Sequence, residues 1–253
     1  GYYAVVSGWC LQYIFASMVG ELKGDPQYVM QYFSNFSKDP IRPLFWTVAI
    51  IVTAHFVIIH GVRGGIEKAS KLMMPTLFVL LVIVVASCML PDAGKGVVFL
   101  FHPDFSKMTK NMFLAALGQS FYSLSIAMGC ICTYASYFSR QTNLLKSALQ
   151  ISVIDTMVAI LAAFSVGVNP DSGPSLIFIT LPNVFNDAFA TMPIIGWIIS
   201  LLFYLLLSVA ALTSLMSLHE VSTSFFFEEL HISRKNGALI VTITCSIIGA
   251  LFR

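Results

Sequence analysis

Residues Gly118 to Arg140 read GQSFYSLSIAMGCICTYASYFSR. The run is long and apolar enough to cross a membrane, yet it makes a poor uninterrupted helix. Ser120, Ser123 and Ser125 cluster at its centre, followed by Ala127, Met128 and Gly129. A lipid-facing helix gains nothing from hydroxyls at mid-depth. A helix that breaks inside the membrane to hold an ion or a small molecule needs hydroxyls, freed carbonyls and a glycine there. The stretch therefore restricts the fold to helices in a bilayer, packed around an interrupted one.

Composition agrees. Of 253 residues, 57% are hydrophobic and 10% charged, where a soluble domain carries about 25% charged residues. This composition implies an all-α integral membrane protein with the lipid bilayer as its surroundings. A net charge of +2 gives no ground for a nucleic-acid partner. Cys10, Cys88, Cys130, Cys132 and Cys245 lie in apolar runs without metal-like spacing and read as small core residues. The chain opens at Gly1 on an apolar run and closes at Arg253 at the end of another. It reads as an internal piece of a longer protein, a single incomplete transmembrane domain over 1–253.

A spanning helix needs about 20 mostly apolar residues. Seven spans are expected: Tyr2 to Val19, Pro43 to His60, Met73 to Leu90, Asn111 to Phe138 with room for a break, Leu144 to Val168, Ile194 to Phe227, and a run from Gly237. Glu21 to Arg42 is expected as a polar loop, Arg63 to Lys71 as a short basic loop, and Pro91 to Lys110 as an amphipathic loop. Asn169 to Pro193 is expected to be a long loop carrying short helices. Basic residues are denser in the short loops after the second, fourth and sixth spans, which favours a cytoplasmic place for those loops.

Two carboxylates fall inside expected spans, Asp155 in SVIDTMV and Glu220 in SLHEVST. A charge at bilayer depth costs about 2.5 to 3.5 kcal/mol even on a lenient scale, so each must face protein, water or an ion. For Asp155 the favoured reading is a hard-cation ligand or a proton carrier. For Glu220 it is a hydrogen-bonded carboxyl bridging two helices. In the sixth span Ala210, Thr213 or Ser214, and Leu218 share one helix face. The Ala210 carbonyl and the Thr213 and Ser214 hydroxyls can converge there on a hard cation such as sodium. Spacing alone favours the plainer reading, in which those hydroxyls bond back to the preceding turn. Gly65 and Pro75 mark either a helix start that unwinds at low cost or an ordinary loop glycine and first-turn proline. The chain shows no nucleophile–base pair, and an enzyme is not expected.

The stretches GQSFYSLSIAMG with TYASY, AALTS at Ala210 to Ser214, YYAVVSGW at Tyr2 to Trp9 and LHISRKNG at Leu230 to Gly237 together resemble the neurotransmitter:sodium symporter family, over nearly the whole chain. The resemblance implies a partial inverted-repeat fold, the third through the start of the ninth of about twelve helices. It leaves the other broken helix, the family's first, outside the chain.

The resemblance also implies roles. Tyr3 would meet the substrate carboxylate region and close the site from outside, and Tyr122, where an aromatic lid is usually Phe, would cover it. Ser125 and Met128 would line the side-chain pocket, with Ser214 and Leu218 opposite. Ser123 and Asp155 would hold a first Na+, and Ala210, Thr213 and Ser214 a second. Tyr137 and Glu228 would belong to the inner gate, and Gly65 with Pro75 would form a helix-unwinding motif. A fixed carboxylate at Asp155 can replace the chloride that animal members use, so transport is expected to be chloride-independent. The function implied is sodium-driven uptake of a hydrophobic or aromatic amino acid across a bacterial inner membrane. A proton-coupled relative with Asp155 as carrier, or a non-transporting receptor on the same scaffold, stays open.

Overall fold

A computed structural model describes residues 2–22, 25–101, 109–126, 128–139, 141–166 and 176–251. The described structure is helical. The helices are α1 (Tyr2–Val19), α2 (Pro26–Lys38), α3 (Arg42–Ile59), α4 (Glu67–Phe101), α5 (Lys110–Ser123), α6 (Cys130–Ser136), α7 (Leu144–Val166), α8 (Leu181–Ala188), α9 (Pro193–Glu228) and α10 (Arg234–Leu251). Two π-helical turns, Val62–Ile66 and Leu176–Thr180, precede α4 and α8. The chain divides into two compact units, 1–87 with 168–253, and 88–167.

In the first unit α1, α3, α9 and α10 pack on one another. Ala4, Ile50, Ile51, Ala54, Leu215 and Met216 form the centre, with Tyr3, Leu212 and Cys245 packed against it. Small residues let the backbones approach: a Cβ on Gly8 would lie 2.6 Å from the backbone nitrogen of Thr47, the close crossing typical of membrane helices. Over one end of this bundle lies an aromatic cap. Trp9, Tyr13, Phe33, Phe36, Phe178 and Tyr204 pack ring to ring, and Phe33 and Phe178 stack with centroids 5.8 Å apart. Tyr204 donates to the Ile177 carbonyl at 2.9 Å, and Asn186 donates to that of Leu22 at 2.9 Å. These bonds fix the π-turn and α8 to the spans.

Several expectations need correction. Glu21 to Arg42 is not a plain loop. Pro26 sits at the first position of α2, where its missing N–H costs nothing, and Val29 and Phe36 are buried from it. The basic stretch Arg63 to Lys71 is also mostly helical, a π-turn followed by the first turns of α4. Pro75 is thus interior to α4 and not in its first turn. The helix also runs through Pro91 to Phe101, where a loop was expected; residues 102–108 of that loop lie outside the described residues. Cys10 and Cys130 are buried as expected, while Cys132 is exposed and Cys245 half-buried; the Cys88 side chain lies outside the described residues.

Among the described residues α3 and α9 combine 18 or more residues with a mean hydropathy of 1.8 and 2.4, enough to cross a membrane by themselves. α1 is diluted by the polar and small residues that let it pack, Ser7, Gly8 and Gln12 among them.

Candidate functional site

The expected break is present, and its construction is local. α5 begins under the Thr109 side chain, which accepts from the Met112 amide at 3.2 Å, and ends at Ser123. The Ile126 amide then reaches back to the Phe121 carbonyl at 2.9 Å, and the Ser125 amide to that of Tyr122 at 3.1 Å. This paired closure is a Schellman turn. Its left-handed residue, usually glycine, is Ser125, with φ of 53°. Gly129, with φ of 79°, opens α6, and its carbonyl accepts from the Thr133 amide at 2.9 Å. A serine holds the strained position here, and the glycine stands four residues later to restart the helix.

The break brings together the residues expected on it. Tyr122 and Ser123 are the last residues of α5, Ser125 is the turn, Met128 precedes Gly129, and Tyr137 ends α6. Ala127 and Arg140 lie outside the described residues. From α7, Asp155 meets the break directly: the Ser123 hydroxyl stands 2.9 Å from both carboxylate oxygens. One hydroxyl proton is thus shared by two acceptors. A carboxylate and a hydroxyl are oxygen donors of the kind that hard cations prefer.

The first unit carries the remaining candidates. On α9 the Thr213 hydroxyl donates to the Ala210 carbonyl at 2.8 Å, and the Ser217 hydroxyl to the Thr213 carbonyl at 3.1 Å. This is the back-bonding that spacing favoured, and it holds the Ala210 carbonyl and the Thr213 hydroxyl side by side. Ser214 and Leu218 are exposed on α9, and Tyr3 is half-buried on α1 beside the Leu212–Leu215 layer. Glu228, the last residue of α9, is exposed. Gly65 sits in the π-turn with its α-carbon pressed toward α3; Pro75 lies downstream on the exposed side of an unbroken α4.

Two polar constructions have partners that the sequence did not name. Glu220 is fully buried and, as expected, bridges two helices; its partner is Arg234 at the start of α10. Arg234 also donates to the Ile58 carbonyl of α3, and Ser224 to the second Glu220 oxygen, each at 3.3 Å. Next to this pair His55, His219, Thr223 and Thr242 form a hydrogen-bonded chain across α3, α9 and α10. The signal for the pair was an acid inside a span, with an arginine where the next helix begins. Nothing in the local sequence joins His55 to Thr242.

The model of the sodium:neurotransmitter symporter family matches residues 37–252. The chain is 32% identical over 256 residues to an uncharacterized sodium-dependent transporter of Haemophilus influenzae, covering 96% of this chain and 55% of that protein. It is 36% identical over 232 residues to the uncharacterized sodium-dependent transporter YhdH of Bacillus subtilis, covering 87% and 50%. The crystal structure of MhsT in complex with L-phenylalanine is similar at a TM-score of 0.86 and 33% identity, over 98% of this chain and 57% of that one. The chain spans about half the length of the curated relatives it matches.

Proposed function

Because the chain belongs to the sodium:neurotransmitter symporter family, we propose that it forms part of a multi-pass, sodium-coupled symporter that imports a hydrophobic or aromatic amino acid by alternating access, independently of chloride. The observation that carries the reading is the Ser123–Asp155 contact at the broken helix. A sodium ion entering beside it would take the freed hydroxyl lone pairs and a carboxylate oxygen in place of water. The Ala210 carbonyl and the Thr213 and Ser214 hydroxyls would contribute to a second ion. Ser125, Met128, Tyr122, Tyr3, Ser214 and Leu218 would surround the substrate, and Tyr137 and Glu228 the inner exit, in a bacterial inner membrane.

Several supports bear on the substrate. The flexible thioether of Met128 adapts to varied apolar side chains, and the similar MhsT structure is a complex with L-phenylalanine. Each charge moved across 100 mV releases about 2.3 kcal/mol. At about 1.4 kcal/mol per tenfold, one sodium ion per cycle sustains a gradient of a few tens-fold. No covalent step is required.

The test is uptake of labelled phenylalanine and leucine into proteoliposomes holding the intact protein, with sodium and proton gradients imposed separately. Accumulation under a sodium gradient in chloride-free buffer is expected. Uptake driven by a pH gradient without sodium would move the assignment to a proton-coupled transporter. Saturable binding with no flux under either gradient would move it to a receptor.

A further inference from the structure

The chain of His55, Thr242, His219 and Thr223 lies inside the first unit. His219 is 4%, Thr223 0% and Thr242 8% exposed. Five contacts define it. The Thr242 hydroxyl stands 2.9 Å from His55 Nδ1, 2.9 Å from His219 Nε2 and 2.9 Å from the Ala238 carbonyl. The Thr223 hydroxyl stands 3.1 Å from His219 Nδ1 and 2.9 Å from the His219 carbonyl.

Every hydrogen bond needs one proton, and each group supplies a fixed number. Each threonine hydroxyl gives one, and His55 gives at most one at Nδ1, in the tautomer that donates there. A neutral His219 gives one more, from one ring nitrogen or the other. Five contacts therefore meet at most four protons. If His219 carries its proton on Nε2, the Thr223 hydroxyl must serve both Nδ1 and the carbonyl. If the proton is on Nδ1, the Thr242 hydroxyl turns to Nε2 and leaves the Ala238 carbonyl. With both nitrogens protonated every contact closes: Nδ1 donates to Thr223, which donates to the His219 carbonyl, while Nε2 and His55 donate to Thr242, which donates to Ala238.

We propose that this cluster is a proton-binding site, in which the helix packing of α3, α9 and α10 holds an additional proton on His219. Among the described residues few other charges face it. α1, on another side of α9, has no acidic or basic side chain between Tyr2 and Val19. α3 contributes His55 here, while His60 is exposed and turned to its own helix at Phe56. α10 contributes Arg234, which is paired to Glu220 of α9, and the exposed Lys235. α8 meets α9 at its opposite end, near Gly196.

Because a buried charge is expensive, the proton stays only while its hydrogen-bond partners hold their places. Separation of α3 or α10 from α9 releases it, and binding it fastens the three helices together. This site is independent of the sodium-coupled reading and of Asp155.

Nitrogen NMR of the intact protein in lipid nanodiscs, labelled at histidine, tests it without reference to transport. The resonances lost in His219→Gln identify the ring. They are expected to report protonation at both nitrogens within the range of about pH 5 to 8 where histidine switches occur. Thr242→Val and, as a second variant, Thr223→Ala are each expected to weaken proton binding tenfold or more, while Thr223→Ser leaves it unchanged. A His219 ring that stays singly protonated across that range overturns the proposal, and so does a doubly protonated ring that neither hydroxyl deletion affects.

Discussion

Arg234 at the start of α10 places its Nη2 2.5 Å from Oε2 of Glu220, two turns inside α9, and the carboxylate it meets is wholly buried. Removing one partner of a buried ion pair strands the other charge, at a cost of about 3 to 5 kcal/mol. Arg234→Met is therefore expected to lower the unfolding temperature of the detergent-solubilised intact protein sharply. Adding Glu220→Gln should recover much of the loss. If the double variant is no more stable than the single one, the stranded charge is not the cause.

The turn at Ser125 carries a serine where the left-handed conformation favours glycine. That conformation costs an L-residue about 1 to 2 kcal/mol. Ser125→Gly is expected to raise thermal stability by roughly 1 kcal/mol, whatever it does to substrate selection. Ser125→Val, branched at Cβ, should lower it. The measurement is the thermal midpoint of both variants without ligand.

Gly64 and Gly65 are neighbours with opposite tolerance. A Cβ at Gly65 would lie 1.9 Å from the Val57 carbonyl oxygen, whereas one at Gly64 meets nothing within 4 Å. Overpacking of this kind costs about 1 to 3 kcal/mol. Gly65→Ala should destabilise by that order and Gly64→Ala by little, as read from paired melting curves.

Asp155 sets the expected chloride response. Asp155→Ser keeps an oxygen near Ser123 and removes the fixed negative charge. Sodium-driven uptake in chloride-free buffer should fall by about tenfold, the factor that 1.4 kcal/mol represents, and added chloride should restore it. Equal loss with and without chloride would detach the carboxylate from charge balance.

Asp39, outside the spans, supplies a pH signature. Its Oδ1 accepts from the Ile41 amide at 2.8 Å and the Arg42 amide at 3.1 Å, and those bonds, with the nearby Arg42 guanidinium, hold its carboxyl below the ordinary value. A depressed native value means the contribution is present above the unfolded value of about 3.9. It is lost as pH falls through the lower native one. The stability gap between wild type and Asp39→Ala should therefore be steady near neutrality and close on acidification below about pH 4.

The spans and the broken helix were legible because their signals are local. Hydropathy marked α1, α3 and α9 nearly to the residue, and misplaced hydroxyls with Gly129 marked the break. Elements whose reasons are tertiary were not legible. α2 looks polar because only Val29 and Phe36 are buried from it, and α4 runs through Pro91, which read as a boundary. The contact of Ser123 with Asp155 followed from family resemblance, since 32 residues separate them. The link of His55 to Thr242 depends on packing alone, and no local pattern announces it.

α9 is one unbroken helix of 36 residues, about 54 Å long at 1.5 Å per residue, well beyond the hydrocarbon thickness of about 30 Å. Ala210 stands at its midpoint and Glu228 at its end, about 27 Å away. Such a rod acts as a lever with its fulcrum at the proposed ion ligands. A tilt of roughly ten degrees about Ala210 leaves the Ala210–Thr213 pair almost still, yet sweeps Glu228 through about 5 Å at that arm length. An ion that steadies the middle of α9 would thereby control where the Glu228 tip can reach.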